Sequence, residues 1–308
     1  MILNTGSRTD IPAYYSEWFY NRIREGFVLV RNPYDPKQVI RYRLTPDVVD
    51  CLCFCTKNPG PMLNRLSELD RFRQMWYVTI TPYGRDVEPY VPLKERVIDS
   101  FCRLTEKVSP RALIWRYDPI FLSERYSMDF HMESFEKMAA ALSGCTESCV
   151  ISFIDLYEKT KRNFPGVQTV PFAQQAEIAK NFVEIGKRFG IAVKSCCETE
   201  RLAAYGVDVS GCMTKEVMER AIGENLAAPK HPAAREGCNC LLGNDIGMYN
   251  TCLQGCKYCY ANYDLKTVEE NHKKHDPKSP LLIGWLKEDD RVRDARQESW
   301  IDGQLRLF

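Results

Sequence analysis

No run of apolar residues in this chain approaches the ~18 that a membrane-spanning helix needs. The first residues, from Met1 to Gly6, show no basic leader and no long apolar stretch, so no signal peptide is read there. Net charge is almost absent: 42 Lys and Arg stand against 41 Asp and Glu, leaving +1. That argues against wrapping nucleic acid by bulk charge and leaves only a local basic groove for such a partner. The four histidines are scattered, and His272 and His275 fall on a charged helix-like stretch where solvation is the ordinary fate. Repeats and low-complexity tracts are lacking. These absences lead us to expect a cytoplasmic chain with no membrane partner.

What the chain has is cysteine. Fourteen occur in 308 residues, and eight of them fall between Cys196 and Cys259. Cytosolic proteins rarely keep disulfides, so this richness points to metal or redox chemistry. Apolar residues make up 44%, enough for a sizeable core.

Short apolar and β-branched runs at 1–5, 27–31, 51–56, 76–81, 112–117, 149–155 and 191–196 read as strands, with a weaker one at 207–212. Helix-like stretches at 14–25, 93–107, 130–143 and 172–189 separate them, the last stopped by Gly190. Strands alternating with helices predict a parallel sheet. Seven or eight such units predict an α/β fold of the (β/α)-barrel kind, TIM-like, complete or partly open. We expect this barrel to span 1–236. From 237 the chain turns glycine- and asparagine-rich, which reads as an irregular, cysteine-rich segment and tail at 237–308 packed on the barrel.

Several predicted strands finish in polar groups: Arg8 and Asp10, Lys57, Arg116 and Asp118, then Asp155. A barrel would bring these ends to one mouth, where active sites sit. The plainer reading is that strand ends are where chains turn polar. For Arg8 with Asp10, a grip on a carboxylate or phosphate competes with a satisfied structural ion pair. The same two readings apply to Arg116 with Asp118.

Cys252, Cys256 and Cys259 have a C-x₃-C-x₂-C spacing. Three thiolates on one tight loop can hold three corners of a [4Fe–4S] cluster, leaving one iron without a protein ligand. An open iron can take the amino and carboxylate groups of S-adenosylmethionine, whose reductive cleavage releases a 5′-deoxyadenosyl radical. Zinc with a fourth ligand such as His272 or an upstream cysteine, or a closed electron-transfer cluster, are the competing readings. Upstream, Cys197, Cys212, Cys238 and Cys240 are the set we choose for a second cluster or a zinc staple; spacing leaves open whether Cys196 replaces Cys197. Cys51, Cys53 and Cys55 alternate along one strand and share a face, where burial as small hydrophobes is the simpler account. Cys102, Cys145 and Cys149 read as structural thiols for the same reason. Asp245 and Asn250, just ahead of the triplet, are candidates for contacting the cofactor, or for capping their loop.

The triplet resembles the signature of the radical S-adenosylmethionine superfamily, in which an aromatic residue commonly precedes the third cysteine; Tyr258 fills that place. In most of that superfamily the triplet follows the first strand, whereas here it lies near the C-terminus. Along the whole chain, the stretches 7–13, 56–59, 115–119, 152–155, 245–252 and 255–261 together resemble the bacterial family called domain of unknown function 1848. Members of that family are described as radical S-adenosylmethionine-like, or by looser analogy as photolyase-like repair proteins. Cys55 departs from that resemblance, standing where tryptophan is expected. The resemblance implies a barrel-like fold with a C-terminal cluster motif and delivers no substrate.

The expectation is a radical S-adenosylmethionine enzyme. Cys252, Cys256 and Cys259 hold the catalytic cluster, and Tyr258, Asp245 and Asn250 lie against the cofactor. Arg8, Asp10, Lys57, Arg116, Asp118 and Asp155 line the substrate pocket. A reductant such as flavodoxin or ferredoxin is implied. The alternative is a non-enzymatic iron–sulfur electron-transfer protein or a zinc-stabilised nucleic-acid-binding protein. Nucleic acid, peptide, nucleoside and small metabolite all stay open as substrates.

Overall fold

A computed structural model of the protein describes residues 1–229, 238–241 and 244–302. The first half runs β1 (Ile2–Asn4), α1 (Ile11–Tyr14), α2 (Ser16–Glu25), β2 (Phe27–Arg31), β3 (Gln38–Arg43), β4 (Cys51–Thr56), β5 (Gln74–Thr79) and α3 (Lys94–Arg103). Then come β6 (Leu113–Ile120), α4 (Met128–Leu142), β7 (Ser148–Phe153), α5 (Glu158–Asn163), α6 (Phe172–Arg188) and β8 (Ala192–Ser195). The chain finishes with α7 (Lys215–Ile222), β9 (Asn244–Asp245), α8 (Leu265–His272) and β10 (Arg291–Asp294).

Seven strands form one parallel sheet in the order β8-β7-β6-β5-β4-β1-β9. From β4 to β8 each new strand joins on the same side of the last. A doubly wound sheet reverses at a switch point; from β1 to β8 this sheet runs one way, and β9 then joins on the other side of β1. Right-handed crossovers running one way place their helices on a single face. Closure of the expected barrel is not seen among the described residues, where β8 and β9 end the order.

Strand alternation then sorts the side chains onto two faces. Phe54, Trp76 and Trp115 turn towards the helices and are fully buried. Phe54 stacks on Trp76 at 4.1 Å, Trp115 on Phe135 of α4 at 4.7 Å, and Phe135 on Phe182 of α6 at 3.8 Å. Burying such rings contributes about 1.5–3 kcal/mol each, so this layer holds helices to sheet. The opposite face carries Ile2, Cys51, Cys53, Met75, Tyr77, Ile114 and Val150. It is covered by Met218 of α7 and by Leu226. Cys51 and Cys53 are thus buried on one face, as alternation predicts, with Cys55 half-buried beyond them.

Several expected elements differ. The strand at 27–31 is not in the main sheet. It pairs antiparallel with β3, and β3 pairs with β10, in a separate three-stranded sheet. The strand expected at 207–212 shrinks to one bridge between Asp208 and Lys194. Gly206 and Gly211 bracket it in left-handed conformations that a strand cannot continue through. The helix expected at 14–25 breaks at Tyr15, where φ is −130°. Cys102 and Cys145, expected as free thiols, are joined in a disulfide. The expected boundary between 236 and 237 lies outside the described residues. Among those residues no helix is long and apolar enough to cross a membrane.

Candidate functional site

The short strand β9 brings the distant C-terminal segment to the sheet. It pairs parallel with β1, Leu3 opposite Asn244 and Asn4 opposite Asp245. The chain after Asp245 therefore leaves at the same end as the turn after β1. Asp245 ties the two together: its carboxylate accepts from the Ser7 N–H at 2.6 Å and the Gly247 N–H at 2.7 Å. Burial raises the Asp245 carboxyl, with the Arg8 guanidinium acting the other way.

The triplet follows on a loop held from four sides. The Tyr15 hydroxyl donates to the Thr251 carbonyl at 2.6 Å, and the Tyr14 hydroxyl to Gln254 Oε1 at 3.1 Å. The Lys257 N–H reaches the Val87 carbonyl at 3.0 Å. Asn262 donates to the Cys252 carbonyl at 2.6 Å. Thr160, on α5, donates to the Tyr258 carbonyl at 3.3 Å. Gly255 makes the loop possible: its φ is +68°, and a Cβ there would stand 2.8 Å from the Tyr90 ring.

Asp10 is the buried hub beneath this loop. Its Oδ1 accepts from the Thr56 hydroxyl at 2.6 Å and the Ala13 N–H at 3.1 Å. Its Oδ2 accepts from the Lys57 N–H at 2.9 Å and from Gln254 Nε2 at 3.0 Å. Burial raises this carboxyl, and those four hydrogen bonds act against the rise. The expected pairing of Asp10 with Arg8 is not how the structure uses them. Asp10 is spent on α1, the end of β4 and the triplet loop, while Arg8 lies over the Tyr249 ring at 5.6 Å.

Lys57 enters a second buried network. Its ammonium donates to Glu88 Oε1 at 2.8 Å, and the Thr81 hydroxyl donates to the same oxygen at 2.6 Å. Lys94 and the Tyr258 hydroxyl also donate to Glu88. Burial opposes the Glu88 charge, but the ammoniums of Lys57 and Lys94 outweigh it and hold the carboxyl at about 2. Lys57 also lies 5.4 Å from the centre of the Tyr258 ring. The aromatic residue of the triplet is therefore fixed through both its face and its hydroxyl.

The triplet thiols are themselves enclosed. Burial pushes Cys256 up to about 12, with Lys57 acting against it, and raises Cys252 and Cys259 as well. A bare thiolate is costly in such surroundings, so these sulfurs require a proton or a cation. The Ala261 N–H points at Cys259 Sγ at 3.3 Å, an arrangement suited to a metal-bound sulfur. The three sulfurs do not all fall within 4.8 Å of one another, the separation that ligands of one shared ion would keep. Three thiols, an N–H to sulfur bond and a nearby ammonium could hold a metal ion or an iron–sulfur cluster.

The other expected residues are placed as follows. Arg116 and Asp118 form an ion pair on the inner face, the sheet face that carries Val150 and lies opposite the Trp76 layer, and the Ser152 hydroxyl donates to Asp118. Asp155 is exposed on the rim, where Tyr157 donates to it at 3.3 Å. Asn250 has a φ of +59°, and its side chain caps the Tyr263 N–H, so it shapes the loop. His272 and His275 are packed around the Tyr15 ring rather than solvated, His275 at 4.7 Å.

The second cysteine set converges differently from the choice made on spacing. Cys212 Sγ lies 3.2 Å from Cys196 Sγ and 3.3 Å from Cys240 Sγ, and all three sulfurs lie within 4.8 Å. The residue meeting Cys212 is thus Cys196, and Cys197 is not in that group. Alternation explains this. Lys194 pairs with Val150, an inner-face residue, so Cys196 continues on that face while Cys197 turns away with a φ of +55°. Cys238 is buried and lies outside that group.

Glu88, Lys94, Gln254 and Tyr260 were not legible as site residues. Gln254 lies inside the motif, at a position whose type the spacing does not specify. Glu88 sits in an irregular loop, and only the fold shows two lysines turned on it. Tyr260 donates to the Ser7 carbonyl at 2.7 Å and is within electrostatic reach of both Cys259 and Arg116.

No curated protein and no solved structure matches the chain. A family model described as Domain of unknown function (DUF1848) matches residues 2–261. That span runs from β1 through the main sheet to the end of the triplet, and the chain belongs to the DUF1848 family.

Proposed function

We propose that the protein is a radical S-adenosylmethionine enzyme whose catalytic [4Fe–4S] cluster is held by Cys252, Cys256 and Cys259. The observation carrying this reading is the placement of the triplet after β9. That strand ends the sheet beside β1, so the motif follows an end strand in space, as the superfamily motif follows its first strand, although it comes late in the chain. Bound there, a cluster with one open iron would hold S-adenosylmethionine and supply the electron that cleaves its carbon–sulfur bond.

The residues around the triplet have definable tasks. Asp10 and Gln254 fix the loop against the end of β4. Lys57 and Lys94, balanced by Glu88, put positive charge beside Cys256, where it offsets the negative charge of thiolate ligands. Tyr14 and Tyr15 close the site against water beside Cys252. Tyr260 bears electrostatically on both Cys259 and Arg116, and Arg116, Asp118 and Ser152 form the polar floor offered to a substrate. A partly open barrel with its mouth at the ends of β1, β4, β6 and β9 is the architecture this reading uses.

The test is anaerobic reconstitution with iron and sulfide, followed by reduction and assay for 5′-deoxyadenosine from S-adenosylmethionine. Formation by the native chain and its loss in Cys256→Ala support the reading. Equal formation by both overturns it.

A further inference from the structure

We propose that Cys196, Cys212 and Cys240 bind a single zinc ion, distinct from the triplet. The site lies beyond the reading of the triplet and does not depend on it.

The three sulfurs come from three separate segments: the end of β8, the loop before α7, and the segment before β9. They meet with separations of 3.2 and 3.3 Å about Cys212. Apolar packing accounts for Cys51 and Cys53, which lie along one strand on the inner face. It gives no reason for three distant segments to bring three thiols to one point. A tetrahedral ion with metal–sulfur bonds of about 2.3 Å sets its sulfurs roughly 3.8 Å apart. All three sulfurs lying within 4.8 Å therefore matches ligands of one ion. Ligands at the corners of a cubane sit on different irons and stand farther apart. A tightly converging thiolate set of this kind selects zinc among the common divalent metals.

The surroundings suit the charge. Three thiolates around a dication carry a net negative charge that needs a nearby donor or cation. Arg116 lies within electrostatic reach of Cys196 and Cys212. Its Nε is buried and has no hydrogen-bond partner. A metal-bound sulfur would offer that atom an acceptor. The Tyr77 hydroxyl donates to the Cys212 carbonyl at 2.6 Å, fixing the central ligand to β5. Closing the site would fasten the segment before β9 to the end of β8, so the two ends of the open sheet would be joined through metal.

The experiment measures zinc and iron per chain by elemental mass spectrometry. It uses the full-length protein, Cys212→Ala, and the triple variant Cys252→Ala/Cys256→Ala/Cys259→Ala. The expected result is about one zinc per chain in the triple variant and at least a roughly tenfold loss in Cys212→Ala. If Cys212→Ala does not fold, X-ray absorption at the zinc edge of the triple variant replaces it, with zinc–sulfur distances of about 2.3 Å expected. A triple variant without zinc, or one that keeps iron and sulfide in its place, overturns the proposal. Because the triple variant lacks the catalytic triplet, failure here is separable from failure of the radical-enzyme reading.

Discussion

Gln254 donates to Asp10 at 3.0 Å, joining the middle of the cysteine triplet to the turn after the first strand across 244 residues of chain. The same carboxylate takes three further donors. Asp10→Ala removes the acceptor for all four. Hydrogen bonds to a charged group are worth about 1.5–3 kcal/mol each and are not additive, so a loss of at least about 3 kcal/mol in urea unfolding is expected. Reconstituted iron content should fall with it. Asp10→Asn keeps the shape and part of the bonding, and it should lie between the two.

Glu88 faces two ammoniums in a buried site. Glu88→Gln leaves Lys57 and Lys94 without their counter-charge, which costs about 3–5 kcal/mol when one partner of a buried pair is removed. Adding Lys94→Met to that variant should recover part of the loss. A double variant no more stable than Glu88→Gln would show that repulsion between the lysines is not the cause.

His131 supplies a pH dependence of its own. Its Nδ1 accepts from the Tyr117 hydroxyl at 2.8 Å, and its Nε2–H donates to the Phe121 carbonyl at 2.9 Å. Burial holds its pKa down at about 4, against the 6.5 of a free histidine. Between those values the unfolded chain binds a proton that the folded chain refuses. Stability is therefore lost as pH falls through this window, by up to about 1.4 kcal/mol per unit from this group. His131→Gln should unfold more easily at pH 7 but show a shallower slope from pH 6.5 to 4. Equal slopes would remove His131 as the source.

Gly255→Ala places a methyl group against the Tyr90 ring on a residue already in the left-handed region. That conformation costs about 1–2 kcal/mol for an L-residue before the clash. The loop should open, and cluster retention after gel filtration should drop while the far-ultraviolet circular dichroism stays unchanged.

Much of the fold was legible because its signals are local. Strands β4 to β8 show as apolar runs, and the face shared by Cys51, Cys53 and Cys55 follows from the period of two. The separate sheet of β2, β3 and β10 was not legible, because pairing between residues 38–41 and 291–294 depends on chain far apart. At the site, the triplet announced itself by spacing, and Asp10 and Lys57 by lying at strand ends. Their roles did not show: a carboxylate at a strand end reads the same whether it meets substrate or four backbone and side-chain donors. Cys196 was separable from Cys197 only once the pairing of Lys194 with Val150 set the register. The bond between Cys102 and Cys145 links residues 43 apart that no spacing rule joins.

The most direct test of the central claim is the electron paramagnetic resonance spectrum of the reduced, reconstituted protein before and after S-adenosylmethionine is added. An open iron within the Cys252, Cys256 and Cys259 site predicts a reduced-cluster signal that changes on addition and is missing from Cys256→Ala. A signal identical with and without S-adenosylmethionine, from an intact cluster, would contradict it and leave electron transfer as the role of the triplet.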